Sequence, residues 1–413
     1  MIRKRLALLV ITVLTLLTPI LGQSKLGFQL PEGVKKVRVP FELHHNLVVV
    51  PVILNNILPL KFILDTGVRT TILTEKTFTD ILDLEYHKHI VISGAGGQKL
   101  VDAYITNGVT LEIPGVKGEG HAMLVLENDY IELSNFLGVP VNGVLGYELF
   151  SRFVVDINFE SGIITISDPE YFKPKRRYHD INISIEDTKP YINARMQQEN
   201  GLGMDLKLMI DTGASHGLLL EQETHDSICV PKQNIPSNIG RGLGGDLKGK
   251  IARVNELSFA NYEFNDVIAT FPDANSYMDS LKRGDVYRNG TLGGEIMTRF
   301  NVIFDYPHEK LYLKKNSKFR KNFEYNISGV IIKATGPYLQ DYVIDEVRIG
   351  SSAEKAGLQK GDKILTVNNS RVREVKLENV IGYFNAKHNK LINVEIERDG
   401  EIYRKKFRLE RQI

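Results

Sequence analysis

Short apolar and alternating runs dominate the first three quarters of the chain. Val48–Leu54 and Lys61–Leu64 are bounded by turn residues. Phe153–Ile157, Ile163–Ile166, Val302–Phe304 and Leu311–Leu313 have the same character. Period-two and continuous apolar runs of this length predict β-strands, and no long 3.6-residue periodicity accompanies them. From about residue 322 the pattern changes. Tyr342–Val347, Ile364–Val367, Asn393–Glu397 and Tyr403–Leu409 read as strands. Ser351–Gly357, with a Ser cap and a terminal Gly, and Lys376–Ala386 read as helices. The N-terminus is different again. Arg3, Lys4 and Arg5 precede the apolar run Leu6–Leu17, which Thr18 and Pro19 break before the small Gly22.

The β-rich part is a repeat. Leu60-Lys61-Phe62-Ile63-Leu64-Asp65-Thr66-Gly67 recurs as Leu206-Lys207-Leu208-Met209-Ile210-Asp211-Thr212-Gly213, a shift of 146 residues from 65 to 211. Glu148-Leu149-Phe150-Ser151-Arg152-Phe153 recurs as Glu295-Ile296-Met297-Thr298-Arg299-Phe300, a shift of 147 from 148 to 295. Two different matches at nearly one offset make residues 35–168 and 178–315 two copies of one unit. The Pro- and charge-rich stretch 169–180 reads as the linker between them.

Three parts at the N-terminus (basic, apolar, small-residue) make 1–22 a signal peptide, so the mature chain is expected to be exported, periplasmic or secreted. Elsewhere no stretch of about 18 uninterrupted apolar residues occurs, so no stable membrane span is expected in the mature chain. The 52 Lys and Arg are interspersed with 50 Asp and Glu. That argues against a nucleic-acid partner, which would call for a clustered basic face. The single Cys229 cannot form an internal disulfide and reads as a buried or incidental thiol. No His, Cys, Asp and Glu spacing suits a metal, and no cofactor is expected.

The chemistry lies in the repeated Asp-Thr-Gly. Two carboxylates held about 3 Å apart cannot both ionise, so one keeps a proton while the other accepts one from water. Each Asp must end a buried strand on a tight turn. The runs Phe62–Leu64 and Leu208–Ile210 supply the strands. Gly67 and Gly213 allow the turn and offer N–H groups, and the Thr66 and Thr212 hydroxyls can reach across to the other copy.

Paired Asp-Thr-Gly motifs in duplicated β lobes resemble the pepsin and retropepsin clan of aspartic peptidases. The resemblance covers residues 35–315. It extends to the clan's two apolar residues followed by Gly behind each active-site loop, here Val144-Leu145-Gly146 and Thr291-Leu292-Gly293. It implies a catalytic pair Asp65 and Asp211, supported by Thr66, Gly67, Thr212 and Gly213, acting on peptide or protein substrates. Gly94-Ala95-Gly96-Gly97 and Gly242-Leu243-Gly244-Gly245 stand where the clan has flaps, making Gly96, Gly97, Gly244 and Gly245 flap candidates; plain Gly-rich hairpin turns are the alternative. The first motif departs from the clan at Val68-Arg69. Arg69 faces out, binds substrate or marks a decayed lobe.

The run Ser351-Ser352-Ala353-Glu354-Lys355-Ala356-Gly357-Leu358-Gln359-Lys360-Gly361-Asp362 with Lys363–Asn368 is similar to bacterial PDZ domains. That resemblance implies binding of protein C-termini by strand addition, with Gly329, Val330, Ile331 and Ile332 as the candidate carboxylate loop. The expected architecture is mainly β: two duplicated aspartic-peptidase lobes, 23–168 and 181–315, forming a bilobal cleft, then a small α+β PDZ-like domain, 322–413. The function implied is an exported aspartic endopeptidase. The alternative is a catalytically inactive peptide-binding or PDZ scaffold protein of the cell envelope.

Overall fold

The computed structural model describes residues 26–96, 99–198, 201, 203–274 and 286–413. The expected signal peptide, 1–22, and the flap candidate Gly97 lie outside the described residues.

In the first lobe, Leu47–Leu54 places Val48, Val50, Val52 and Leu54 on one buried face, as a two-residue period requires. Asn55 and Asn56, both at positive φ (49° and 58°), turn the chain back into Leu58–Leu64. Asn tolerates that left-handed backbone better than most residues. The returning strand carries Phe62 and Leu64 into the core and ends at Asp65. It pairs in parallel with Gly143–Leu145, in the register Phe62 with Gly143 and Leu64 with Leu145. The second lobe repeats this. Gly203–Ile210 runs parallel to Gly290–Leu292, with Leu208 opposite Gly290 and Ile210 opposite Leu292.

A sheet of six strands joins the lobes. Lys36–Pro40, Ile163–Ser167 and Val154–Asn158 come from the first copy; Phe300–Asp305, Lys310–Lys315 and His179–Asn182 complete it. Asp156 pairs with Ile303, its own counterpart in the repeat, so an approximate two-fold axis passes between them. His179 and Asp180, expected in the linker, belong to the strand His179–Asn182, which pairs with Lys310–Lys315.

Each lobe also has a pair of long hairpin strands that the short apolar runs did not reveal. These are Val101–Ile113 with Val116–Leu126 and Gly245–Phe259 with Tyr262–Pro272. Their alternation is broken by glycines and polar residues, and partners across the hairpin fix them instead.

The C-terminal domain holds the strands Val330–Thr335, Asp341–Val347, Lys363–Val367, Leu391–Arg398 and Glu401–Arg408. Its expected helix at 351–357 is the shorter Ser352–Lys355, capped by Ser351 Oγ accepting the Glu354 N–H at 3.2 Å. The expected helix at 376–386 is Leu377–Phe384. The buried Asp362 accepts two bonds from the Arg398 guanidinium, at 2.6 and 2.8 Å. Bidentate pairing of this kind fixes the Gly361-Asp362 turn. Among the described residues no helix is long and apolar enough to cross a membrane. Cys229 is exposed rather than buried, its Sγ directed at the Asp226 carbonyl.

Candidate active site

The parallel strand pairs present the two Asp-Thr-Gly loops to each other. The Asp65 N–H donates to Leu145 O at 2.8 Å, and the Asp211 N–H to Leu292 O at 3.0 Å. Inside each loop the Gly N–H turns onto its own Asp. Gly67 N–H donates to Asp65 Oδ1 at 2.6 Å, and Gly213 N–H to Asp211 Oδ1 at 2.8 Å.

The threonines tie the loops together. Thr66 Oγ1 donates to Ile210 O at 2.7 Å and accepts the Thr212 N–H at 3.1 Å. Thr212 Oγ1 donates to Leu64 O at 2.8 Å and accepts the Thr66 N–H at 3.1 Å. All four bonds are buried, where their loss would leave costly orphan groups. Gly213 packs against the Asp65 carboxylate so closely that a side-chain carbon there would collide with it.

The two carboxylates converge on Gly67, where a side-chain carbon would stand 3.1 Å from Asp65 Oδ1 and 3.2 Å from Asp211 Oδ2. Burial first, and then the charge of Asp211, hold the Asp65 carboxyl well above the usual carboxylate range, against the opposing N–H groups of Gly67 and Gly213. The arrangement can therefore keep one proton on the pair at pH values where an exposed carboxyl would have lost it.

Gly146 and Gly293 sit behind the loops. A methyl at Gly146 would strike the carbonyls of Val68 and Asp65, and one at Gly293 would strike that of His216. At the Val68-Arg69 departure the charged residue is turned outward. Val68 packs in a small cluster with Leu47, Val49 and Ile63. Arg69 is exposed and its Nη1 lies 3.3 Å from Asp187 Oδ1 of the second lobe.

The two Gly-rich tips meet. Gly244 N–H donates to Ala95 O at 2.9 Å. Gly96 and Gly245 have φ of 105° and 110°, and side chains at Gly96 or Gly242 would strike the opposite tip. Only glycine allows both the backbone and the approach.

The C-terminal loop is less open than expected. Gly329 and Val330 are buried, and their N–H groups donate to Asn326 Oδ1 at 3.0 Å and Ser328 Oγ at 3.2 Å. A carboxylate would have to displace both side chains. Ile331 and Ile332 lie in the strand that follows.

Two further residues stand near the pair without having been read from the sequence. Tyr306 is buried and stacked on Phe150 at 5.3 Å, with no hydrogen-bond partner for its hydroxyl among the described residues. Burial, then the charges of Asp65 and Asp211, push its ionisation far upward. His216 follows the second loop. Burial lowers its pKa against the opposing charge of Asp211. A repeat comparison could have singled out Tyr306, because it replaces Phe159 of the first copy and breaks the symmetry there.

Two β lobes on a shared sheet, each giving one Asp-Thr-Gly loop to an approximate two-fold axis, define the architecture of an aspartic peptidase. The aspartyl protease family matches residues 50–149 and 196–296, and the PDZ domain family matches 343–398. The chain carries two aspartyl protease repeats followed by a PDZ domain. No curated protein matches the chain.

Proposed function

We propose that the chain is an exported aspartic endopeptidase that hydrolyses peptide bonds with a water held between Asp65 and Asp211. The observation that carries this reading is the pair itself: two facing carboxylates with Asp65 held well above the ordinary range. The ionised carboxylate takes a proton from water as the oxygen attacks the peptide carbonyl. The protonated partner gives its proton to the carbonyl oxygen, forming a neutral tetrahedral diol. Collapse of the diol breaks the C–N bond, with a proton passed to the leaving amine. The pair titrates as a unit, so neither role belongs to one Asp alone.

The joined tips at Ala95 and Gly244 support a pair of flaps that part to admit substrate and exclude water once closed. The PDZ domain serves recruitment of substrate or partner through its sheet edge. Export rests on the basic and apolar segments at Arg3–Leu17. A decayed first lobe at Arg69 would leave an inactive peptide-binding protein. The outward pairing of Arg69 with Asp187 favours the active reading.

The test is digestion of an unfolded protein by the purified mature chain, with and without a hydroxyl-bearing transition-state mimic. Cleavage that the mimic blocks, and that Asp65→Asn lacks, is expected. A folded protein that leaves every unfolded substrate intact would overturn the reading.

A further inference from the structure

The PDZ sheet begins at Val330–Thr335, which among the described residues pairs only with Asp341–Val347 and is therefore an edge strand. An edge of this kind is where an extended peptide adds itself as a new strand. Here another part of the chain covers it. The five-residue helix Leu133–Leu137 of the first lobe lies along the strand. Asn135 Nδ2 donates to Ala334 O at 2.8 Å, and Lys333 Nζ pairs with Glu132 Oε2 at 3.1 Å. Gly138 (φ 68°) then ends the helix against Leu377, the first residue of the PDZ helix, with no room for a side chain. Residues 132–138 thus touch both the edge strand and the helix beside it.

The same segment reaches the second flap. Glu132 Oε2 is also 3.5 Å from Nη1 of Arg241, whose guanidinium lies over the Phe136 ring at 5.5 Å. Arg241 stands in the strand Asn234–Gly242 that leads into the tip Leu243-Gly244. Glu132 itself is held at φ 57° by Asp129 Oδ1, which accepts the N–H groups of Ile131 and Glu132 at 3.2 and 2.8 Å. One carboxylate therefore bridges a PDZ lysine and a flap arginine.

We propose that residues 132–138 are a built-in ligand of the PDZ domain, and that an extended apolar peptide adding to Val330–Thr335 displaces them and unties the second flap. Recognition rests on the strand edge rather than on a terminal carboxylate, because the Gly329 and Val330 N–H groups already have partners. The docked chain cannot accept the peptide and the undocked chain can, so peptide binding shifts the population toward the untied flap. The consequence for turnover rests on the peptidase reading above; the competition itself does not.

The experiment uses the full mature chain carrying Asp65→Asn, so that the probe is not cut. A short Val-rich peptide, amidated at its C-terminus, is titrated, with its acid form in parallel. Both forms should bind alike. Asn135→Ala with Lys333→Ala should tighten binding about 10-fold by removing the internal competitor. Saturating peptide should raise hydrogen exchange across 234–259. Arg241→Ala should raise that exchange without peptide and, because it removes one hold on residues 132–138, tighten peptide binding less than the double substitution does. Affinity indifferent to the double substitution, binding of the acid form alone, no binding at all, or flap exchange unmoved at saturation would each overturn the proposal. These readouts need no turnover, so a chain that cleaves nothing would end the peptidase reading and leave them standing.

Discussion

Thr66 and Thr212 exchange hydrogen bonds across the two-fold axis, each Oγ1 accepting the other's backbone N–H at 3.1 Å. Each hydroxyl also donates to the strand that precedes the opposite Asp. The two lobes are thus joined at the very residues that place the carboxylates. Thr66→Val or Thr212→Val keeps the shape and removes one donor and one acceptor. Each should cost about 1–3 kcal/mol of stability and lower kcat more than it raises KM. Denaturant melts and steady-state kinetics provide the check; an unchanged melt would show that the lobes are held elsewhere.

Asp65→Asn and Asp211→Asn should each reduce kcat by at least ~10³-fold, because an amide cannot pass the proton. Retained near-wild-type turnover in either purified, folded variant would exclude the two-carboxylate mechanism.

The same Asp65→Asn change should stabilise the protein near neutral pH. The folded state keeps a proton on the pair, with the Asp65 carboxyl raised, to higher pH than the unfolded chain does. Stability from that site is full in acid and declines as pH rises from the ordinary carboxylate range to the raised folded value. Asn does not ionise, so its advantage in Tm should appear at neutral pH and vanish in acid. Each kcal/mol gained would show as roughly 2–4 °C. A pH-independent difference in Tm would contradict the raised ionisation.

Among the described residues no hydroxyl donates to either carboxylate; the Gly67 and Gly213 N–H groups are the donors seen. Val68 and Ala214 follow the two motifs where a Ser could supply such a bond. A donor to the charged form would lower the pKa of the pair. Val68→Ser with Ala214→Ser should therefore move the basic limb of kcat/KM down by about one pH unit. An unmoved profile, or a wild type active only in strong acid, would refute the argument.

Gly146→Ala should displace the first loop, since the new methyl meets the Val68 and Asp65 carbonyls. Backbone cannot yield as a flexible side chain can, so a loss of about 1–3 kcal/mol is expected. Activity should fall with it. A variant as stable and active as wild type would show that this close packing is not what positions Asp65.

The repeat, the paired motifs and the glycines behind them were legible because each is written in a continuous stretch. An apolar run buries its strand, the next residues make the turn, and duplication supplies the partner at a fixed offset. Four PDZ strands and both helices were legible for the same reason, with boundaries shifted by at most two residues, whereas Val330–Thr335 is a strand where a loop was expected. Three other features depend on residues far apart in sequence. Arg69 turns out to Asp187, the two Gly-rich tips share a hydrogen bond, and residues 132–138 lie against the PDZ edge. Local patterns carry no information on which surface will meet such a segment. That choice is made when the lobes, their Gly-rich tips and the PDZ domain pack together, and a single carboxylate at Glu132 finds cations from two of them.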